Sequence, residues 1–75
     1  MPTIKDFGGF RIYMYFGGHN PPHIHVIGPD FSAKMRIGDA GVFAGTLPGK
    51  VEKQASAYVL VHAAELDDLW NKYNG

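Results

Sequence analysis

The stretch His19-Asn20-Pro21-Pro22-His23-Ile24-His25-Val26 decides how this chain is read. Proline has no amide hydrogen and pushes the residue before it out of the α region. Asn20-Pro21-Pro22 therefore makes an extended or turning corner, and His23 to Ile27 follows as a strand. Side chains alternate along a strand, so Ile24 and Val26 face one way and His23 and His25 the other. Three of the four histidines lie in this stretch, which makes it the first place to look for chemistry.

The flanks alternate in the same way. Phe10 to Phe16 is rich in β-branched and aromatic residues. It sets Phe10, Ile12, Met14 and Phe16 on one face against Arg11, Tyr13 and Tyr15 on the other. After the turn Gly28-Pro29-Asp30, Ser32 to Ile37 sets Ala33, Met35 and Ile37 against Ser32, Lys34 and Arg36. Gly38-Asp39-Ala40-Gly41 is a second turn, and Val42 to Ala44 a short strand. Upstream, Met1 to Phe7 has room for a short extended piece, which Gly8-Gly9 breaks. Four strands with close turns predict an antiparallel meander.

From Thr46 the period changes to that of a helix. Thr46 reads as a cap, with Pro48 in the first turn and Glu52 near the positive end. Val51, Ala55, Tyr58, Val59, His62, Leu66, Leu69, Trp70 and Tyr73 then recur at helical spacing. One helix from Lys50 to Tyr73 would be roughly 36 Å long, whereas the longest strand reaches only about 23 Å. Its end is expected to overhang the sheet, making Leu69, Trp70 and Tyr73 candidates for a homodimer or partner contact. The alternative is that the sheet's twist and the amino-terminal residues cover them. The predicted fold is α+β: a four-stranded antiparallel meander packed on one long carboxy-terminal helix, in two layers and a single domain over residues 1–75.

With 75 residues and an apolar fraction of 45%, the chain supports one small core and is not disordered as a whole. It has no cysteine, which excludes disulfides, thiolate metal sites and thiol nucleophiles. No signal-peptide pattern opens it, and no apolar run approaches the ~20 residues that span a bilayer. The expectation is a cytoplasmic protein without membrane contact. Seven basic residues balance seven acidic ones, so net charge gives no support for nucleic-acid binding, but the distribution of charge does.

A single helix covers only one face of a sheet. The other face is then expected to gather Arg11, Tyr13, Tyr15, His23, His25, Lys34 and Arg36, with no carboxylate among them. Such a surface could bind RNA or DNA in single-stranded form, cations tracking phosphates and tyrosines stacking on bases. It could equally be an ordinary solvated face. His23 and His25 have three readings. As general acid and base they could cleave RNA without a metal or cofactor, with Arg11, Lys34 or Arg36 on the phosphate. Together with His19 or a nearby carboxylate they could ligate a divalent transition metal such as zinc. As structural residues they could hydrogen-bond and hold the Pro-Pro corner. His62, on the apolar stripe of the helix, is either a hydrogen-bonded core residue or a sign that the strand register is inverted. In the inverted case His23, His25 and His62 would converge between sheet and helix.

The sequence resembles a family of short bacterial and archaeal proteins grouped as a domain of unknown function. The resemblance is carried by Met1-Pro2-Thr3-Ile4, the Ile12-to-Phe16 strand, and the motif from His19 to Val26. Gly45-Thr46-Leu47-Pro48, His62-Ala63-Ala64-Glu65-Leu66 and Trp70 carry the rest. Members are often encoded beside another small protein in pairs that look like toxin–antitoxin modules. The resemblance thus implies a bacterial cytoplasmic protein with a small protein partner, and it marks His19, His23, His25 and His62. Lys50, Glu52 and Tyr58, the last in place of an expected tryptophan, depart from the pattern and bear on partner choice.

Overall fold

Among the described residues, five strands joined in chain order carry the alternation described above: β1 (Thr3–Asp6), β2 (Arg11–Tyr13), β3 (His23–Ile27), β4 (Ser32–Arg36) and β5 (Val42–Thr46). Two helices follow, α1 (Gly49–Val61) and α2 (Ala63–Asn74). The computed structural model describes residues 3–15 and 21–74. All four strand pairings are antiparallel, and β3 holds the centre.

The register fixes which residues share a face. Ile12 pairs with Val26, Ile24 with Met35, and Val26 with Ala33. These residues, with Phe10, Met14 and Ile37, are buried against Ala55 and Val59 of α1 and Leu66 and Trp70 of α2. This is the core face expected from the alternation, except that Phe16 lies outside the described residues. Tyr13, His25, Lys34 and Ala44 are in line across the opposite face.

The architecture differs from expectation in two places. The first is the extra strand β1. Gly8-Gly9 does not end the extended segment but turns it back on itself. Gly8 takes φ +91°, Phe7 N–H donates to the Phe10 carbonyl at 2.9 Å, and Gly8 N–H donates to Asp6 Oδ1 at 2.8 Å. A glycine pair with a preceding aspartate thus closes a hairpin.

The second difference is the helix, which breaks at His62, where the backbone takes φ −108° and ψ 19°. A straight helix of roughly 36 Å would exceed the longest extent of the molecule, 31 Å. The break lets each half bury its own pair, Ala55 and Val59 or Leu66 and Trp70. Hydrogen bonding continues around it, His62 N–H reaching the Tyr58 carbonyl at 3.0 Å and Leu66 N–H the His62 carbonyl at 2.9 Å. The expected cap also shifts. Thr46 pairs with Ser32 as the last residue of β5, and Pro48 takes the cap position without a side-chain cap bond. Among the described residues, no helix is long and apolar enough to cross a membrane.

Gly45 makes a local demand that no other residue type meets. It sits in β5 at φ +78°, and a Cβ there would collide with the Ser32 carbonyl oxygen and with Ala33 Cα. Non-glycine residues pay of order 1–3 kcal/mol for such a conformation. Gly45→Ala should therefore lower the thermal midpoint by roughly 5–20 °C, at ~4–8 °C per kcal/mol for a domain of this size. Gly49→Ala, at the helix start with open space around it, should leave the midpoint nearly unchanged. Equal melting curves for the two variants would contradict this account of β5.

Candidate functional site

His23 opens β3 directly after the proline corner, and the corner determines its chemistry. Its Nδ1 lies 2.8 Å from the Pro21 carbonyl oxygen. A carbonyl only accepts, so Nδ1 carries the proton, and in the neutral ring Nε2 keeps its lone pair. The Pro22 carbonyl in turn accepts from Ile37 N–H at 3.0 Å, tying the corner to the end of β4. Although His23 faces away from Ile24 and Val26, it is only 6% exposed. Three rings cover it: Trp70 at 5.1 Å, His25 at 5.1 Å and Phe43 at 5.4 Å between centroids. No side-chain nitrogen or oxygen among the described residues is both fully buried and unpartnered.

His25 lies one side-chain step further along the same face. Tyr15 meets it edge-on at 4.3 Å, and Tyr13 stacks beside Tyr15 at 6.3 Å. Burial, then the nearby positive charges of His23 and Lys34, lower its pKa from 6.5 to about 4. The ring is thus neutral near pH 7. It is unprotonated, so it cannot act as a general acid there, and a base this weak is poorly matched to neutral pH.

The basic residues are less one-sided than the alternation implies. Two carboxylates absent from the expected face reach it, Asp6 from the end of β1 and Asp39 from a turn. Asp6 accepts from Arg11 Nε at 3.1 Å, and Asp39 accepts from Arg36 Nε at 2.9 Å. Arg11 has its pKa raised, first by a hydrogen bond with Tyr13 and then by the charge of Asp6. Asp39, held below the usual carboxylate range chiefly by Arg36, also accepts from Gly41 N–H at 2.9 Å. Lys34 forms no ion pair with the described residues. It lines an open groove of ≈ 440 Å³ with Tyr15, His25, Ile27, Ser32, Ala44 and Gly45.

Phe43 belongs to this face and escapes sequence reasoning. Lys34 pairs with Ala44 and Met35 with Val42, so Phe43 is an extra residue in β5. The bulge turns its ring towards His23 and under Arg36, whose guanidinium carbon lies 5.8 Å from the ring centre. Simple alternation cannot foresee a bulge; a lone aromatic in a short, otherwise small-residue strand was the available signal.

The other candidates fall as follows. His19 lies outside the described residues, so a metal set of His19, His23 and His25 has only its last two members placed. No cluster of three or more histidine, cysteine, aspartate or glutamate side chains suited to a metal occurs among the described residues. The strand register is not inverted. His62 sits half-buried at the helix break, its ring 4.3 Å from Tyr58 and its Nδ1 3.5 Å from Glu65. At the end expected to overhang, Trp70 is 5% exposed, and Leu69 and Tyr73 pack partly buried against the core. The chain covers Trp70 itself, because the break at His62 brings α2 back onto the sheet, and leaves Leu69 and Tyr73 partly exposed.

Fold and face together define a small α+β domain with two helices on one side of an antiparallel sheet and an open aromatic surface with basic residues on the other. The chain belongs to the DUF4160 family, a domain of unknown function whose pattern matches residues 9–71. No curated protein and no solved structure matches it.

The low pKa of His25 has a thermodynamic consequence with a definite sign. In the unfolded chain this histidine takes up a proton near 6.5, whereas in the fold it does so only near 4. Protons therefore favour the unfolded state across that interval. The contribution of His25 is fully present above pH 6.5 and is lost as the pH falls towards 4. The thermal midpoint should drop over this window, and His25→Gln should remove part of the drop. An NMR titration of the His25 ring with a midpoint near 6.5 would refute the described environment.

Proposed function

We propose that the outer face of the sheet binds single-stranded nucleic acid, RNA foremost, without cleaving it. The observation that carries this reading is the open groove in which Tyr15 and His25 stand beside Lys34, a cation with no carboxylate partner among the described residues. Exposed sheet aromatics stack on unpaired bases for about 1–3 kcal/mol per base, and cations beside them follow the backbone. Arg11 and Arg36 add to this face. Their pairs with Asp6 and Asp39 are exposed and screened by solvent, so a phosphate can compete for them.

Binding is favoured over ribonuclease activity by the state of His25. A ring with a pKa of about 4 cannot be the acid at neutral pH and is a weak base there, poorly matched to proton abstraction. On the resemblance carried by the histidine motif, we place this binding in a toxin–antitoxin-like module with a small protein partner. If the face binds no nucleic acid, His23 and His25 are best read as structural and the domain as an interaction module.

Fluorescence anisotropy with a short labelled RNA tests the proposal. Tyr15→Ala should weaken binding roughly 5- to 150-fold, the equivalent of one lost stack. Lys34→Glu should weaken it and flatten its salt dependence, which at ~0.7 per phosphate contact should not exceed a slope of about 2 for three cations. The RNA should be recovered intact. Absence of binding at low salt would overturn the proposal, and cleavage lost in His23→Ala would replace it with the catalytic reading.

A further inference from the structure

The two helices carry an apolar stripe that the core does not use. Ala55 and Val59 before the break and Leu66 and Trp70 after it are buried, so both halves turn the same side to the sheet. Hydrogen bonds on either side of His62 keep the halves in phase. The opposite side carries Lys53, Ala57, Leu60, Val61, Ala64 and Asp68, all of them exposed, within an arc of about 100° at 3.6 residues per turn. Three large apolar side chains stand exposed among the described residues, and two of them, Leu60 at 59% and Val61 at 77%, are neighbours here. An apolar patch bordered by polar residues is the usual mark of a contact surface.

We infer that this outer helix stripe pairs with the same stripe of a second copy, antiparallel, about a two-fold axis passing between Leu60 and Val61. The stripe itself selects the occupant. Its spacing reads the same from both ends: from Lys53 the steps are four, three, one, three and four residues. An isologous contact requires such a self-complementary surface. The two-fold sets Leu60 opposite Val61, Ala57 opposite Ala64, and Lys53 opposite Asp68. Apolar residues thus meet apolar ones, and opposite charges meet at both flanks. Neither Lys53 nor Asp68 forms an ion pair among the described residues, so both are free to pair across the contact. Like charges are not brought together, since Glu65 falls opposite Ser56 and Asp67 opposite Gln54. The break turns α2 towards the sheet and leaves the stripe on the convex side, with Leu60 and Val61 at its crest. Contact is therefore concentrated on these two residues and the dimer is a weak one.

This inference is independent of the nucleic-acid reading, because the stripe lies on the far side of the helix layer from that face. Sedimentation equilibrium of the full chain from about 1 μM to about 1 mM, the range of weak association, should show the 8.2 kDa chain approaching twice its mass. Val61→Glu brings two carboxylates together near the axis and should leave a monomer with an unchanged circular dichroism spectrum. A charge exchange tests the register. Lys53→Asp alone sets like charges at both flanks and should raise the dissociation constant roughly 2- to 30-fold, the equivalent of two exposed pairs. Adding Asp68→Lys should restore it. Thr46→Lys, at the exposed end of β5, should leave the dimer intact. A monomer at every concentration would overturn the inference, as would a dimer that survives Val61→Glu or a double charge exchange that restores nothing.

Discussion

A strand buried on one face cannot turn its side chains independently, and β3 stands where that constraint acts most strongly, in the middle of five strands. Ile24 and Val26 must go under the helices because their neighbours in register, Ile12, Met35 and Ala33, are apolar too. His23, His25 and Ile27 are then forced to the other side. A slip of one residue would bury two histidines and expose two aliphatic side chains, and no arrangement of the rest could repair it. The aromatic face is thus a direct consequence of how the core is filled.

His23 shows how the two faces are nonetheless connected. It points outward yet is almost fully covered, with Trp70 from the helix layer against one part of its ring and Phe43 from the edge strand against another. A polar ring tolerates such burial only when hydrogen-bonded, and the Pro21 carbonyl supplies the bond. The proline corner is therefore more than a turn. By holding Nδ1 it selects the tautomer, in which Nε2 is the acceptor of the neutral ring. Through His23 the helix layer touches the row of rings that runs on to His25 and Tyr15.

Charge plays a smaller part here than the basic residues of the outer face suggest. Asp6 and Asp39, each held in place by a turn that also uses the carboxylate to satisfy a backbone N–H, reach back to Arg11 and Arg36. Burial first, and then the charges of His23 and Lys34, keep His25 neutral. The resulting surface is ring-rich with modest positive charge, so stacking rather than long-range attraction should dominate whatever it binds. The zero net charge of the chain agrees with that balance.

The sequence by itself determined the core and the two-faced sheet, since both follow from a period of two that any strand must obey. Phe10, Ile12, Met14, Ile24, Val26, Ala33, Met35 and Ile37 are all legible in this way, as are the outward positions of Tyr13, His25 and Lys34. Tertiary structure decided what alternation does not contain. Gly8-Gly9 could end a strand or reverse it, and only pairing with β2 makes it a hairpin. The helical period continues unbroken through His62, but a straight rod would outrun the sheet, so packing breaks it and returns Trp70 to the core. The bulge at Phe43 and the carboxylates that meet Arg11 and Arg36, Asp6 from the end of β1 and Asp39 from a turn, depend on how neighbouring strands and loops meet in space. Local pattern specifies direction within one element; the chemistry of this face depends on distances between elements, which only the folded chain sets.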